Sequence, residues 1–145
     1  MQMDFRSHHK VVAALKADNY SAATHTSSEI DTAGFAEAVI IFDAGTMGSS
    51  GTVDVTVRDT DTAGGSYAAV TGAAFTQVVT ANEATVYVGR IRLNSATAGT
   101  TDKCNRYIKI QAVVGTAACD FGVTVLLLNA VNPSVTLNTM AFSID

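Results

Sequence analysis

Apolar and polar residues alternate with a period of two through most of this chain. In TVDVTVR (52–58), Val53, Val55 and Val57 fall on one side while Asp54, Thr56 and Arg58 fall on the other. That is the pattern of a strand with one buried and one wet face. EATVYVGRIRL (83–93) sets Val86, Val88 and Arg90 against Tyr87, Gly89 and Ile91, and NRYIKIQAVV (105–114) sets Ile108, Ile110, Ala112 and Val114 against Tyr107, Lys109 and Gln111. FGVTVLLLN (121–129) begins with Val123, Val125 and Leu127 facing in and Thr124 facing out; Leu126 and Leu128 then make its outer face apolar as well. FAEAVIIFDAG (35–45) has a two-sided apolar middle, Val39 to Phe42, which suits a central strand covered on both faces.

Turn signals separate these runs: DTAG (31–34), GTMGSSG (45–51), DTAGG (61–65), NSATAGTTD (94–102) and VGTAAC (114–119). Strands recurring at this spacing predict an all-β fold, an antiparallel sandwich or barrel; the reading taken is an antiparallel β-sandwich of jelly-roll or immunoglobulin-like type with extended N- and C-terminal arms. One domain is expected over 1–145, with an N-terminal arm at 1–25, a body at 26–130 and a C-terminal arm at 131–145. The one helical alternative is HHKVVAALKAD (8–18), where Val11, Val12 and Leu15 share a face; eleven residues is marginal for a helix, and the piece reads equally well as an extended arm.

Asp59 and Asp61, followed by Gly64, have the spacing of a calcium loop. An EF-hand loop takes oxygen ligands at its first, third and fifth positions, glycine at the sixth and a bidentate glutamate at the twelfth. Counted from Asp59, the fifth position is Ala63 and the twelfth is Val70, and neither side chain binds a cation. A hairpin turn, with Gly64–Gly65 supplying positive φ, is the better reading.

Charged residues make up only 15% of the chain, below the roughly 25% of an ordinary domain, so Thr, Ser, Asn and Ala build much of the surface. Such a surface tolerates contact with another protein. The net charge of −4 and the lack of a basic stripe argue against nucleic-acid binding. No run approaches the roughly 20 apolar residues that cross a bilayer, and Asp4 and the short VVAAL run are unlike a secretory signal. The expectation is a protein made and used in the cytosol, or carried out of the cell inside something larger.

Cys104 and Cys119 fit free buried thiols, with a strand-clipping disulfide as the alternative. Lys103 beside Cys104 offers a route to a lowered thiol pKa, but nothing supplies a base or an orienting acid, and a structural thiol is the reading taken. His8, His9 and His25 form no chelating pattern, and no nucleophile elbow, phosphate loop or zinc-protease motif occurs. Asp54 and Arg58 share a strand face and are placed to pair. No catalytic residue, metal site, cofactor or small-molecule substrate is expected, and the chain does not read as an enzyme.

The end of the chain carries a different signal. NPSVTLNTMAFSID (132–145) alternates through Val135 and Leu137, slips by one, and continues through Met140, Phe142 and Ile144, with Asp145 its single charge. A segment that only needs solvation is charged and poor in apolar residues. This one suits a groove or a sheet edge, in its own sandwich or in a neighbouring subunit. Phe5 is placed to act likewise. Phe5, Val135, Leu137, Met140, Phe142 and Ile144 are therefore the interface candidates.

The succession TSSEIDTAGFAEAVIIFDAG, GTVDVTVRDTDTAGGSYAAVTGAAFTQV, ATVYVGRIRL and NRYIKIQAVVGTAACDFGVTVLLLNA resembles small structural proteins of tailed bacteriophages, among them capsid decoration (cement or auxiliary) proteins. The resemblance spans about 26–130, and its most telling pieces are Asp31–Phe35, Tyr87–Gly89, Arg106–Tyr107 and Asp120–Val123. It implies a β-sandwich that oligomerises, as a homotrimer or homodimer, on the outside of an assembled phage head and contacts the major capsid protein. The 132–145 end departs from the shorter forms of that family, which leaves the shell-contacting residues unassigned. A neck or tail component of the same virion, and a carbohydrate-binding sandwich, are the competing readings. The latter would need exposed aromatics, yet the chain has no tryptophan and 7% aromatics.

Overall fold

The computed structural model describes residues 9–93 and 104–130. Among these residues, ten strands form two antiparallel sheets. The first has the order β1 (Lys10–Tyr20), β10 (Cys119–Ala130), β4 (Phe35–Met47), β8 (Thr85–Arg92). The second has the order β2 (Thr24–Thr26), β9 (Tyr107–Gly115), β5 (Thr52–Thr60), β6 (Ala68–Ala74), with β3 (Ile30–Asp31) also on β9 and β7 (Val78–Val79) also on β5. A single 3-10 turn, Thr80–Asn82, links β7 to β8.

The pairing is nested. β1 pairs with β10, β2 and β3 with β9, β4 with β8, and β5 with β6 and β7. The chain is thus one long hairpin, with its tip at the 61–65 turn, wrapped so that successive pairs fall in alternate sheets. That is the jelly roll, and the strand order selects it over the immunoglobulin-like alternative.

Each inner face comes from the alternation. β9 turns in Ile108, Ile110, Ala112 and Val114, β5 turns in Val53, Val55 and Val57, and β10 turns in Val123, Val125 and Leu127, all at most 3% exposed. Phe42 lies at the centre of an aromatic cluster, its ring centroid 5.6 Å from Tyr87, 5.8 Å from Phe75 and 5.9 Å from Phe121.

Several expectations change. HHKVVAALKAD, open between helix and arm, is strand from Lys10 onward, and Lys10–Tyr20 pairs along β10 although it lies within the stretch expected as an arm. β4 is central as expected, but only Phe35, Ala38, Ile40, Phe42, Ala44 and Met47 are buried. Val39 and Ile41 stay half-exposed because the sandwich has two layers and nothing described lies above this one. In β8 it is Tyr87 and Ile91 that turn inward, leaving Val86 57% and Val88 66% exposed.

The turn at 61–65 is a turn. Gly64 adopts φ 68°, its N–H donates to Glu29 Oε2 at 2.7 Å, and Gly65 N–H donates to Thr62 O at 2.9 Å. Gly65 itself has ordinary φ; its need for glycine is space, since a Cβ there would sit 2.9 Å from Thr62 O.

Candidate docking face

The two outer faces of the sandwich differ in chemistry. On the β2–β9–β5–β6 sheet, polar side chains lock one another in place. Arg58 donates to Gln111 Oε1 at 3.0 Å and to Tyr67 O at 2.7 Å, and Gln77 Nε2 donates to Asp54 Oδ2 at 2.7 Å, so the expected Asp54–Arg58 pair is replaced by separate partners. Cross-strand register is the reason: β9 and the 66–67 segment bring acceptors nearer to Arg58 than its own strand does. Tyr67 O–H donates to Glu29, and the Lys109 ammonium lies 4.4 Å from the Tyr67 ring centroid. That bond holds the Glu29 carboxyl below its usual range. Desolvation, with Glu29 adding, pushes the Tyr67 phenol up to about 12.

Arg106 closes the same face at β3. Its Nε and Nη2 donate to the two oxygens of Asp31 at 2.8 Å each, and this bidentate bond lowers the Asp31 pKa and raises that of Arg106. Buried Thr32 donates its hydroxyl to Arg106 O at 2.6 Å, and Gly34 turns the chain into β4 at φ 83°. The 31–35 and 106–107 phrases that carry the family resemblance therefore meet in space, as a latch between β3 and β9.

The outer face of the β1–β10–β4–β8 sheet is aliphatic. Register places Val11, Leu126, Val39 and Arg90 in one row across its four strands, and Ala13, Thr124, Ile41 and Val88 in the next. Leu128 lies beyond the first row and Val86 beyond the second, so seven large aliphatic side chains and an alanine surround one threonine. Glu37 and Arg90 pair at one end of this patch. At the other end are Asp43, Asp18 and Asp120, the last accepting from Asn19 Nδ2 at 2.6 Å. β1 bulges over β10 there, and a Cβ on Gly122 would meet the Ala17 backbone at 3.1 Å. Contiguous apolar surface of this kind, with Val11, Val86 and Val88 exposed and the other large aliphatic side chains half-buried, marks a contact site.

The chemistry-bearing residues are placed for structure. Cys104 and Cys119 are free and buried. The Cys104 thiol is pushed up to about 12, first by burial and then by Asp59, opposite in direction to the lowering that Lys103 beside it offered. Burial outweighs a sequence neighbour because the thiolate would face apolar walls and a carboxylate. His25 stacks edge-on to Tyr20 at 4.8 Å, with its Nε2 2.9 Å from Ser21 O. Among the described residues, no three His, Cys, Asp or Glu side chains gather as a metal-ligand set.

Phe5, Val135, Leu137, Met140, Phe142 and Ile144, the interface candidates read from sequence, lie outside the described residues. Val86 and Val88 were missed. The signal was present: Arg90 and Arg92 share their parity, and two arginines do not turn into an apolar core.

No protein-family model matches the chain, and no curated protein matches it in sequence. Solved structures match its fold. The PBSX exported protein XepA superposes with a TM-score of 0.55 at 12% identity, covering 100% of this chain and 45% of its own. A chain of the T13 IBDV viral particle superposes with a TM-score of 0.50 at 16% identity, covering 86% of this chain and 31% of its own. The present chain thus spans less than half the length of either, and at these identities the likeness is one of fold.

Proposed function

We propose that this chain is a virion structural protein that decorates the outside of an assembled phage head and stabilises it, docking on the major capsid protein through the aliphatic face of the β1–β10–β4–β8 sheet. The observation that carries the reading is the contrast between the two faces: one knitted from side-chain hydrogen bonds, the Asp31–Arg106 ion pair and cation–π contacts, the other a patch of Val, Leu and Ile with no described layer above it. The family resemblance and the jelly roll shared with a chain of a viral particle support it.

Physics gives such a protein a purpose without chemistry. A ligand that binds the assembled shell and not its free subunits stabilises assembly by RT ln(1 + [L]/Kd), about 4 kcal/mol at a thousandfold excess over Kd. An oligomer spanning several capsid subunits gains effective concentration for each contact after the first. The carbohydrate-binding alternative is disfavoured because Tyr67 and Tyr107, which flank the polar face, are already covered by Lys109 and Arg106.

The test is stoichiometry. Purified chain, titrated onto shells that lack it, should saturate at a copy number that scales with the number of capsid subunits. Saturation at roughly a dozen copies or fewer, as expected of a ring at one vertex, would assign it to the neck or tail.

A further inference from the structure

Among the described residues, the sandwich is open along one side. β6 and β8 are the edge strands there, and between them lies a cleft of about 670 Å³, walled by Val70, Phe75, Tyr87 and Ile91 with Ile40 and Val57 at its floor. Among the described residues, β8 also presents an unpaired edge. Leu93 N–H donates to Ala36 O, and the β4–β8 register runs unbroken from Glu37↔Arg92 to Ala44↔Thr85. Antiparallel alternation then directs the backbone N–H and C=O of Val86, Val88, Arg90 and Arg92 away from β4. No described residue pairs with them. An edge of this length beside an apolar cleft is a template for one more strand.

We infer that residues 135–144 of a second copy of this chain add to the β8 edge as a strand, sending alternate side chains into the cleft and closing the sandwich. The segment has what the site requires. It carries no charge, alternates through Val135 and Leu137 and again through Met140, Phe142 and Ile144, and follows a proline. Backbone bonding along the edge supplies affinity and the cleft reads every second side chain, as in other strand-addition complexes.

Reach favours a neighbouring copy over the chain's own end. β10 has β1 on one flank and β4 on the other, so no slot beside it is open. The position beyond β8 is three strand spacings from β10, about 14 Å, and the link from Ala130 to Val135 reaches at most about 17–18 Å when fully extended. The chain's own segment would arrive only with that link nearly straight across the end of the sheet. A second copy has no such constraint, and mutual exchange closes a symmetric oligomer.

The contact does not depend on shell binding and is tested with no shell present. Val88→Pro in the full chain removes one outward N–H from the edge while leaving the β4 ladder intact. The double substitution Phe142→Asp with Ile144→Asp, also in the full chain, disables the donated strand and leaves the edge. By sedimentation with light scattering, the unsubstituted chain should run as a closed oligomer and each variant alone as a monomer. An equimolar mixture of the two variants should form a one-to-one dimer, because one retains the strand and the other the edge. As a check independent of either substitution, an excess of a synthetic peptide of residues 132–145 should dissociate the unsubstituted oligomer into peptide-bound protomers, and at least tenfold more peptide should be needed when it carries both aspartates. A monomeric unsubstituted chain, variants that keep the oligomer mass, a mixture that stays unpaired, or an oligomer indifferent to the peptide would overturn the inference.

Discussion

Two adjacent isoleucines in β4 should respond in opposite ways to the same substitution. Ile40 is 1% exposed between the sheets, and Ile41 is half-buried on the aliphatic outer face. Ile40→Asp removes a core side chain, at about 2–5 kcal/mol for the cavity alone. It also places a carboxyl among apolar walls, at about 2–7 kcal/mol without a partner. The sum is comparable to the whole stability of an ordinary domain, about 5–15 kcal/mol, so this variant should be unfolded in buffer. Ile41→Asp forfeits most of the 1.5–3 kcal/mol that full burial supplies and up to about 1 kcal/mol of strand preference. It should stay folded, destabilised by about 2–3 kcal/mol. With a urea slope of about 2 kcal/mol per molar, its midpoint should fall by about 1–1.5 M, measured by far-ultraviolet circular dichroism at low protein concentration. Loss of folding in Ile41→Asp as complete as in Ile40→Asp would mean that the outer face is core in the isolated protein, and the docking reading would fail.

The Asp31–Arg106 latch sets a pH dependence. The folded carboxyl pKa is depressed, so its contribution is present above the unfolded value near 3.8 and is lost as pH falls through the lower folded value. Acid unfolding curves should therefore be flatter for Asp31→Asn below about pH 4 than for the unsubstituted chain, and an identical acid limb would remove the latch from the account. The Cys104 thiol, pushed up to about 12, should be inert to thiol reagents at pH 8, with a thiolate fraction of about one in ten thousand against about one in four for an ordinary cysteine. Colorimetric titration should find both thiols only after denaturant is added, and rapid native labelling of Cys104 would contradict its placement.

What the sequence made legible, and what it hid, follows from local against distant causes. β5, β9 and the first half of β10 keep strict alternation, so Val53, Val55 and Val57 or Ile108, Ile110 and Ala112 announce their inward faces. β1 does not. Its register against β10 shifts between Ala13 and Leu15 and again between Leu15 and Asp18, and the bulges break the period of two. That left Val11, Val12 and Leu15 with a spacing that also suits a helix. β6, AAVTGAA, carries almost no pattern because it is an edge strand with little to bury. Glu29, which holds the 61–65 turn from 35 residues away, has no local signature at all. Nor does the nested strand order, which arises from which strands meet and not from what each contains.

The docking face was half legible. Leu126 and Leu128 showed an apolar outer side for β10, and the alternation 52–58 showed a polar one for β5. That Val39, Ile41, Val86 and Val88 join the leucines depends on register across three strands, which a linear reading does not supply.

The central claim is that the aliphatic face, and not the polar one, meets the shell. Leu126→Glu and Gln111→Glu place the same side chain at equivalent central positions on the two outer faces. With both variants folded and bound to purified shells, Leu126→Glu should raise the apparent Kd at least tenfold while Gln111→Glu leaves it unchanged within twofold. Equal binding by the two, or loss confined to Gln111→Glu, would contradict the account.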